Sequence, residues 1–222
     1  MQKILFFIGS RANYSSIKSV MQEVKKKKLL KLQIILGASG LINKYGELEK
    51  SLKKDGFKIN KKIYFLIEGE NPVTMAKSTG LGLIGIADAL DELKPDLVFT
   101  VGDRFETMAT TLATSYMNIP LAHTMGGEVS GTIDESIRHA ITKFSHIHFP
   151  ASKEAEKRIY MLAVTTKGRY PDRGCTPSQC DKFRGGLKAF LKDIKEDNEK
   201  IKPYIGTWGG PPAWSYPIGS LR

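Results

Sequence analysis

Short apolar runs alternate along the chain with longer stretches of helical periodicity. Ile4–Ile8 is continuously apolar and ends at Gly9. Such a run reads as a parallel strand buried on both faces, feeding a glycine turn. Apolar residues then recur at Ile17, Val20, Met21 and Val24, which predicts a helix over Tyr14–Lys28. Continued along the chain, the pattern predicts strands at Leu32–Leu36, Ile63–Ile67, Leu97–Val101, Ile119–His123 and His146–Phe149. The predicted helices between and after them are Tyr45–Lys54, Thr74–Leu93, Glu106–Met117, Asp134–Ser145 and Lys153–Leu162. Gly80, Gly82 and Gly85 lower helix propensity within Thr74–Leu93 and suggest close packing on the sheet.

Strands alternating with helices imply βαβ units and a parallel sheet. Right-handed crossovers place helices on both faces, so the expected class is α/β, doubly wound. Ligands in such folds bind beyond the carboxyl ends of the strands. The alternation stops after residue 163. Residues 164–222 are rich in Gly and Pro and contain one amphipathic stretch, Leu187–Ile201. The chain therefore divides into a lobe, 1–163, and an irregular or disordered tail, 164–222, with one helix.

Composition adds little to this picture. The net charge is +11, of which +5 falls in residues 164–222. A basic chain suits an anionic partner such as a phosphorylated metabolite. The Lys25–Lys28 run lies at a predicted helix end, where cations suit the dipole, and no aromatic residues interleave it. Nucleic acid is accordingly the weaker reading. The two cysteines, Cys175 and Cys180, are too few for a structural zinc site. The N-terminal apolar run is too short for a signal peptide, and no segment has the length of a membrane span. The expected compartment is the cytoplasm.

The chemistry-bearing residues cluster where strands end. The first loop reads Gly9-Ser10-Arg11-Ala12-Asn13-Tyr14, without the glycine spacing of a dinucleotide or Walker motif. Arg11 there either meets an anion or caps carbonyls. The next loops carry Asp103, Arg104 and Glu106, then Glu128, Asp134 and Glu135. Carboxylates converging on one edge fit general acid–base chemistry. Each also has a structural alternative: Asp134 as a helix cap, Glu135 as a partner of Arg138 or His139. Of the four histidines, His123 and His139 stand nearest that edge. His146 and His148 alternate on a short strand and should differ in exposure. No spacing suggests a metal site.

The run Gly102-Asp103-Arg104-Phe105-Glu106 resembles the GDRFE segment of hydrolysing UDP-N-acetylglucosamine 2-epimerases. Gly126-Gly127-Glu128-Val129-Ser130-Gly131-Thr132-Ile133-Asp134-Glu135-Ser136-Ile137-Arg138-His139 is similar to that family's next segment, and Gly9–Tyr14 to its G-T-R-A-D-Y loop. The resemblance covers residues 1 to about 163. It implies a Rossmann-like lobe, the first of a two-lobed GT-B-type fold with the site in the cleft. The implied substrate is a UDP-N-acetylhexosamine or a related UDP-diacetamido sugar. UDP and the free 2-epimer would leave, for synthesis of sialic-acid-like sugars, with no metal or redox cofactor. The implied catalytic residues are Asp103 and Asp134, supported by Glu128 and His123. Arg11, Arg104, Glu106, Arg138 and His139 are the implied substrate-binding residues.

Three departures stand out. Met125 occupies the position of a family Glu or His, and a thioether transfers no proton. Asn13 replaces an Asp, and Gly40 replaces a histidine. The second lobe has no counterpart, so the chain reads as truncated, frameshifted or fused. Negligible turnover alone follows, and the alternative is a non-catalytic sugar-nucleotide-binding or assembly module. Its implied partners are a separate C-terminal lobe or further copies in a homo-oligomer. A different two-lobed glycosyltransferase would not need the carboxylates beside Gly126–His139.

Overall fold

The computed structural model describes residues 1–69 and 71–164. The predicted helix Leu187–Ile201 and both cysteines lie outside the described residues. Six strands and six α-helices alternate: β1 Gln2–Ile8, α1 Arg11–Lys26, β2 Leu30–Gly37, α2 Leu48–Lys54, β3 Lys61–Ile63, α3 Pro72–Leu93, β4 Leu97–Val101, α4 Phe105–Tyr116, β5 Leu121–Thr124, α5 Ile133–Phe144, β6 Ile147–Phe149 and α6 Lys153–Val164. Two short 3-10 turns, Ala38–Leu41 and Asn43–Tyr45, link β2 to α2. All strand pairs are parallel, in the order β3-β2-β1-β4-β5-β6. The order reverses between β1 and β4, and there the loops after those strands part to leave a crevice.

Period-two alternation sends β1 side chains to two cores. Ile4, Phe6 and Ile8 join Ile17, Val20 and Met21 of α1 on one face. Leu5 and Phe7 join Ile86 and Leu90 of α3 and Ala109 of α4 on the other. Phe99 of β4 stacks on Phe6 at 4.9 Å and on Phe149 at 5.4 Å, tying the central strands to the β6 edge. Tyr14 donates to Asp55, which also pairs with Lys18, so α1 is fastened to the end of α2.

Three differences from the sequence pattern have visible causes. The third strand ends at Ile63, where the predicted one begins, because its partner β2 ends at Gly37 opposite Ile63. The chain then turns onto α3: the Phe65 ring lies against Gly82, and the Ile67 N–H donates to Ser78. Helix α1 starts at Arg11 because the Ser10 hydroxyl accepts from the Asn13 N–H, so Arg11–Asn13 are helical. Helix α5 starts after Thr132, which leaves Asp134 in the first turn and not at the cap. Of the α3 glycines, Gly82 and Gly85 do allow close packing, against Phe65 and Ile63, whereas Gly80 faces open space.

Candidate active site

Glycine turns after β1, β4 and β5 bring the carboxylates to the carboxyl edge of the sheet. The loop after β4 bends through Gly102 at φ +79°, a conformation that suits glycine. Asp103 follows it. From α5, thirty-five residues on, buried Arg138 reaches back and donates to the Asp103 carboxylate. The same guanidinium donates to the Glu128 carbonyl at 2.6 Å. One arginine thus joins the β4 loop, the β5 loop and α5.

Glu106 sits below this bridge, 1% exposed, in the first turn of α4. Neither of its oxygens has a hydrogen-bond partner among the described residues. Arg104 approaches at 3.4 Å, an ion-pair distance without hydrogen-bond geometry. Burial pushes the Glu106 carboxyl up from the ordinary range, opposed by the nearby Arg104 charge and reinforced by Asp134. The protonated form is therefore favoured, and it carries an O–H to donate. Gly9 lies directly over it: a Cβ there would stand 2.6 Å from Glu106 Cγ.

The sequence reading missed Asn13. Its side-chain oxygen accepts from the Gly9 N–H at 3.2 Å, and its amide donates to the Val101 carbonyl at 3.3 Å. It thereby sews the β1 loop to the end of β4 across the crevice. An aspartate could accept but could not donate. The Asn-for-Asp departure was the available signal.

The other predicted residues are more dispersed. Arg11 is exposed and folds against Gly46, beside a groove of about 310 Å³ lined by Glu47, Lys50, Ser51 and Lys54. No hydrogen bond or ion pair among the described residues joins Arg11 to Asp103 or Asp134. The Glu128 carboxylate accepts from Ser152 at the start of α6, at 3.3 Å. Glu135 accepts from the Ser130 and Gly131 N–H groups, and these bonds hold its carboxyl below the ordinary range. It pairs with neither Arg138 nor His139. Half-buried His139 keeps Nε2 without a partner. Met125 is exposed, in a left-handed conformation at φ +63°.

His123 lies behind the edge and not on it. Its Nε2 donates to the Gly102 carbonyl at 2.7 Å, while Nδ1 is buried under Gly126 without a partner. Thr100, His123 and His148 stand level across β4, β5 and β6. Burial pushes His123 down to about 4 and His148 down to about 3. The expected difference in exposure between His146 and His148 is not found: both are half-buried, and His146 Nδ1 accepts from the Leu121 N–H.

Acid should therefore unfold the lobe through these rings. Unfolded histidines take up protons near pH 6.5, whereas the folded His123 does so near 4. The stabilisation is complete above the unfolded value and is lost as pH falls through that interval, about 3 kcal/mol for His123. Glu106 acts in the opposite sense, since its raised value favours the folded state at low pH. Urea unfolding of Glu106→Gln at pH 6.5 and pH 4.5 isolates the histidine contribution. A midpoint that does not fall on acidification would contradict it.

A family profile described as UDP-N-acetylglucosamine 2-epimerase matches residues 22–168, well over half of the chain. The chain belongs to the UDP-N-acetylglucosamine 2-epimerase family. Within that family it is 36% identical over 167 residues to a GDP/UDP-N,N'-diacetylbacillosamine 2-epimerase (hydrolyzing) of Campylobacter jejuni, covering 75% of this chain and 43% of the relative. It is 35% identical over 162 residues to the UDP-N,N'-diacetylbacillosamine 2-epimerase (hydrolyzing) of Legionella pneumophila, covering 73% and 43%. The chain thus spans less than half the length of these curated relatives, over the part that bears the epimerase motifs. A solved UDP-GlcNAc 2-epimerase from Neisseria meningitidis, bound to UDP-GlcNAc, superposes with a TM-score of 0.62 at 19% identity, covering 76% of this chain and 50% of that one. That likeness places the lobe in the two-lobed epimerase fold. Among the described residues no helix is long and apolar enough to cross a membrane, and no group of three or more His, Cys, Asp or Glu could hold a metal.

Proposed function

We propose that residues 1–163 form the sugar-facing half of a hydrolysing 2-epimerase acting on a UDP-N-acetylhexosamine or UDP-diacetamido sugar. Residues 164–222 form a separate tail in this reading, and the compartment is the cytoplasm. The bridge from Arg138 to Asp103 and to the Glu128 carbonyl carries it. That bridge fixes the tips of two strands beside the switch point, where Glu106 and Asp134 also lie. In the reaction a base removes the C2 proton and UDP leaves, giving a glycal. Water then adds to the glycal with inversion at C2. Asp103 and Asp134 are the proton-transfer groups. Arg104, Arg138 and Arg11 offer cations to the diphosphate. Glu106, with its proton on, offers a neutral donor, and His139 Nε2 is free for a sugar hydroxyl.

A second reading is favoured by Met125 and by the fraction of the relatives that the chain spans. Here the lobe binds the sugar nucleotide and becomes catalytic only with a C-terminal lobe on another chain. Turnover needs both cleft walls to hold the transition state. At the Met125 position a proton would have to come from Glu128 or a histidine. His123 is the weakest substitute, since its Nε2 is committed to Gly102.

Calorimetry of the full chain with UDP-N-acetylglucosamine and with UDP-N,N'-diacetylbacillosamine, alongside an assay for released UDP, tests both readings. Binding near about 1 mM is expected, with negligible release of UDP until a C-terminal lobe is added. Release at the rate of a full-length relative would refute the need for that lobe. Failure to bind either sugar nucleotide would refute the site.

A further inference from the structure

Helix α3 is apolar on both sides. Its inner side buries Ile86, Ala89 and Leu90. Its outer side exposes Val73 (61%), Leu81 (48%) and Ile84 (63%), and Gly80 on that side faces open space. Tyr64, 76% exposed, adjoins Ile63, whose side chain fills the notch at Gly85. A solvated surface helix normally presents a polar outer face. Here the outer face has the character of a covered one.

The pattern of that face identifies what covers it. Lys77, Leu81, Ile84 and Asp88 follow one another at intervals of 4, 3 and 4 residues, the spacing of a two-helix seam. The apolar pair is central, a cation stands on its N-terminal side and an anion on its C-terminal side. Lys77 and Asp88 are exposed, and neither enters an ion pair among the described residues. Such a face is complementary to itself when two copies run antiparallel. A twofold axis between residues 82 and 83 sets Leu81 of each copy against Ile84 of the other. The same axis sets each Lys77 against the other Asp88, twice over. A parallel pairing would oppose like charges. Gly80, beside the seam, lets the helices approach closely.

We propose that α3 is a homodimer contact, packed antiparallel on α3 of a second copy, with Leu81 and Ile84 at the seam and reciprocal Lys77–Asp88 pairs at its ends. The contact is isologous, as closed twofold dimers require. It lies on the flank of the sheet, away from the strand tips that hold the candidate site, and does not depend on the sugar-nucleotide reading.

Sedimentation velocity of the full chain at low salt, over a roughly hundredfold concentration range, tests it. The wild type should sediment as a dimer and Ile84→Glu as a monomer. Lys77→Glu should weaken dimerisation at least tenfold, and the double variant Lys77→Glu/Asp88→Lys should restore it. Unchanged far-ultraviolet dichroism shows that each variant folds, and the rescue cannot come from a misfolded chain. A wild-type monomer at every concentration overturns the proposal, and so does a dimer indifferent to Ile84→Glu. Loss of the dimer in Lys77→Glu without rescue by the double variant overturns the antiparallel arrangement.

Discussion

Replacing Arg138 with methionine should lower the unfolding free energy by about 3–5 kcal/mol, the cost of leaving one member of a buried ion pair alone. Arg138 is buried and the Asp103 side chain is 19% exposed, so solvent screens the pair only in part. Two acceptors lose their donor together, the Asp103 carboxylate and the Glu128 carbonyl. Both belong to the loops that define the crevice, so sugar-nucleotide binding should be lost with the stability. Asp103→Asn removes the carboxylate charge and leaves a group of the same shape. The double variant should therefore be less destabilised than the two single losses added together, and urea midpoints for the cycle give the coupling directly. Additive losses would mean that the two side chains do not act as a pair.

Gly127→Ala should be as damaging for a different reason. Gly127 has φ +78°, where any side chain is strained by about 1–2 kcal/mol. An added Cβ would also collide with the carbonyl oxygen of Ala155 and lie 2.9 Å from its carbonyl carbon and 3.0 Å from its Cα. Those are backbone atoms of α6, and no rotamer change relieves the clash. The helix must shift, taking Ser152 and its bond to Glu128 with it. A total loss above about 3 kcal/mol follows from strain and overpacking together. Gly102 provides the control. It has φ +79°, yet nothing lies within 4 Å of the position a Cβ would take. Gly102→Ala should show the conformational cost alone. Equal losses at the two positions, read from urea unfolding, would contradict the steric account.

Much of the fold was legible because parallel strands are buried on both faces. Leu97–Val101 was placed to the residue, and the other central strands to within two or three. The third strand was misplaced because its end is set by the length of β2 and by the packing of Phe65 on α3. No local pattern encodes either. Helix starts were missed where a three-dimensional cap decides them, as Ser10 does for α1. At the site, the sequence located the edge and its carboxylates but not their partners. Arg138 lies 35 residues from Asp103, and only the crossover between β4 and β5 brings them together. The buried state of Glu106 was hidden as well, because a glutamate after a glycine loop ordinarily faces water. Its burial comes from Gly9, which lies on a neighbouring strand tip ninety-seven positions earlier.

The pocket at the switch point is tested most directly by mapping UDP-N-acetylglucosamine onto the full chain through amide shifts in a ¹H–¹⁵N titration. Shifts should concentrate at residues 9–13, 102–106 and 126–139, where three loops converge. Shifts confined to the Lys50–Lys54 groove, or spread evenly over the surface, would show that the convergent loops do not form the binding pocket.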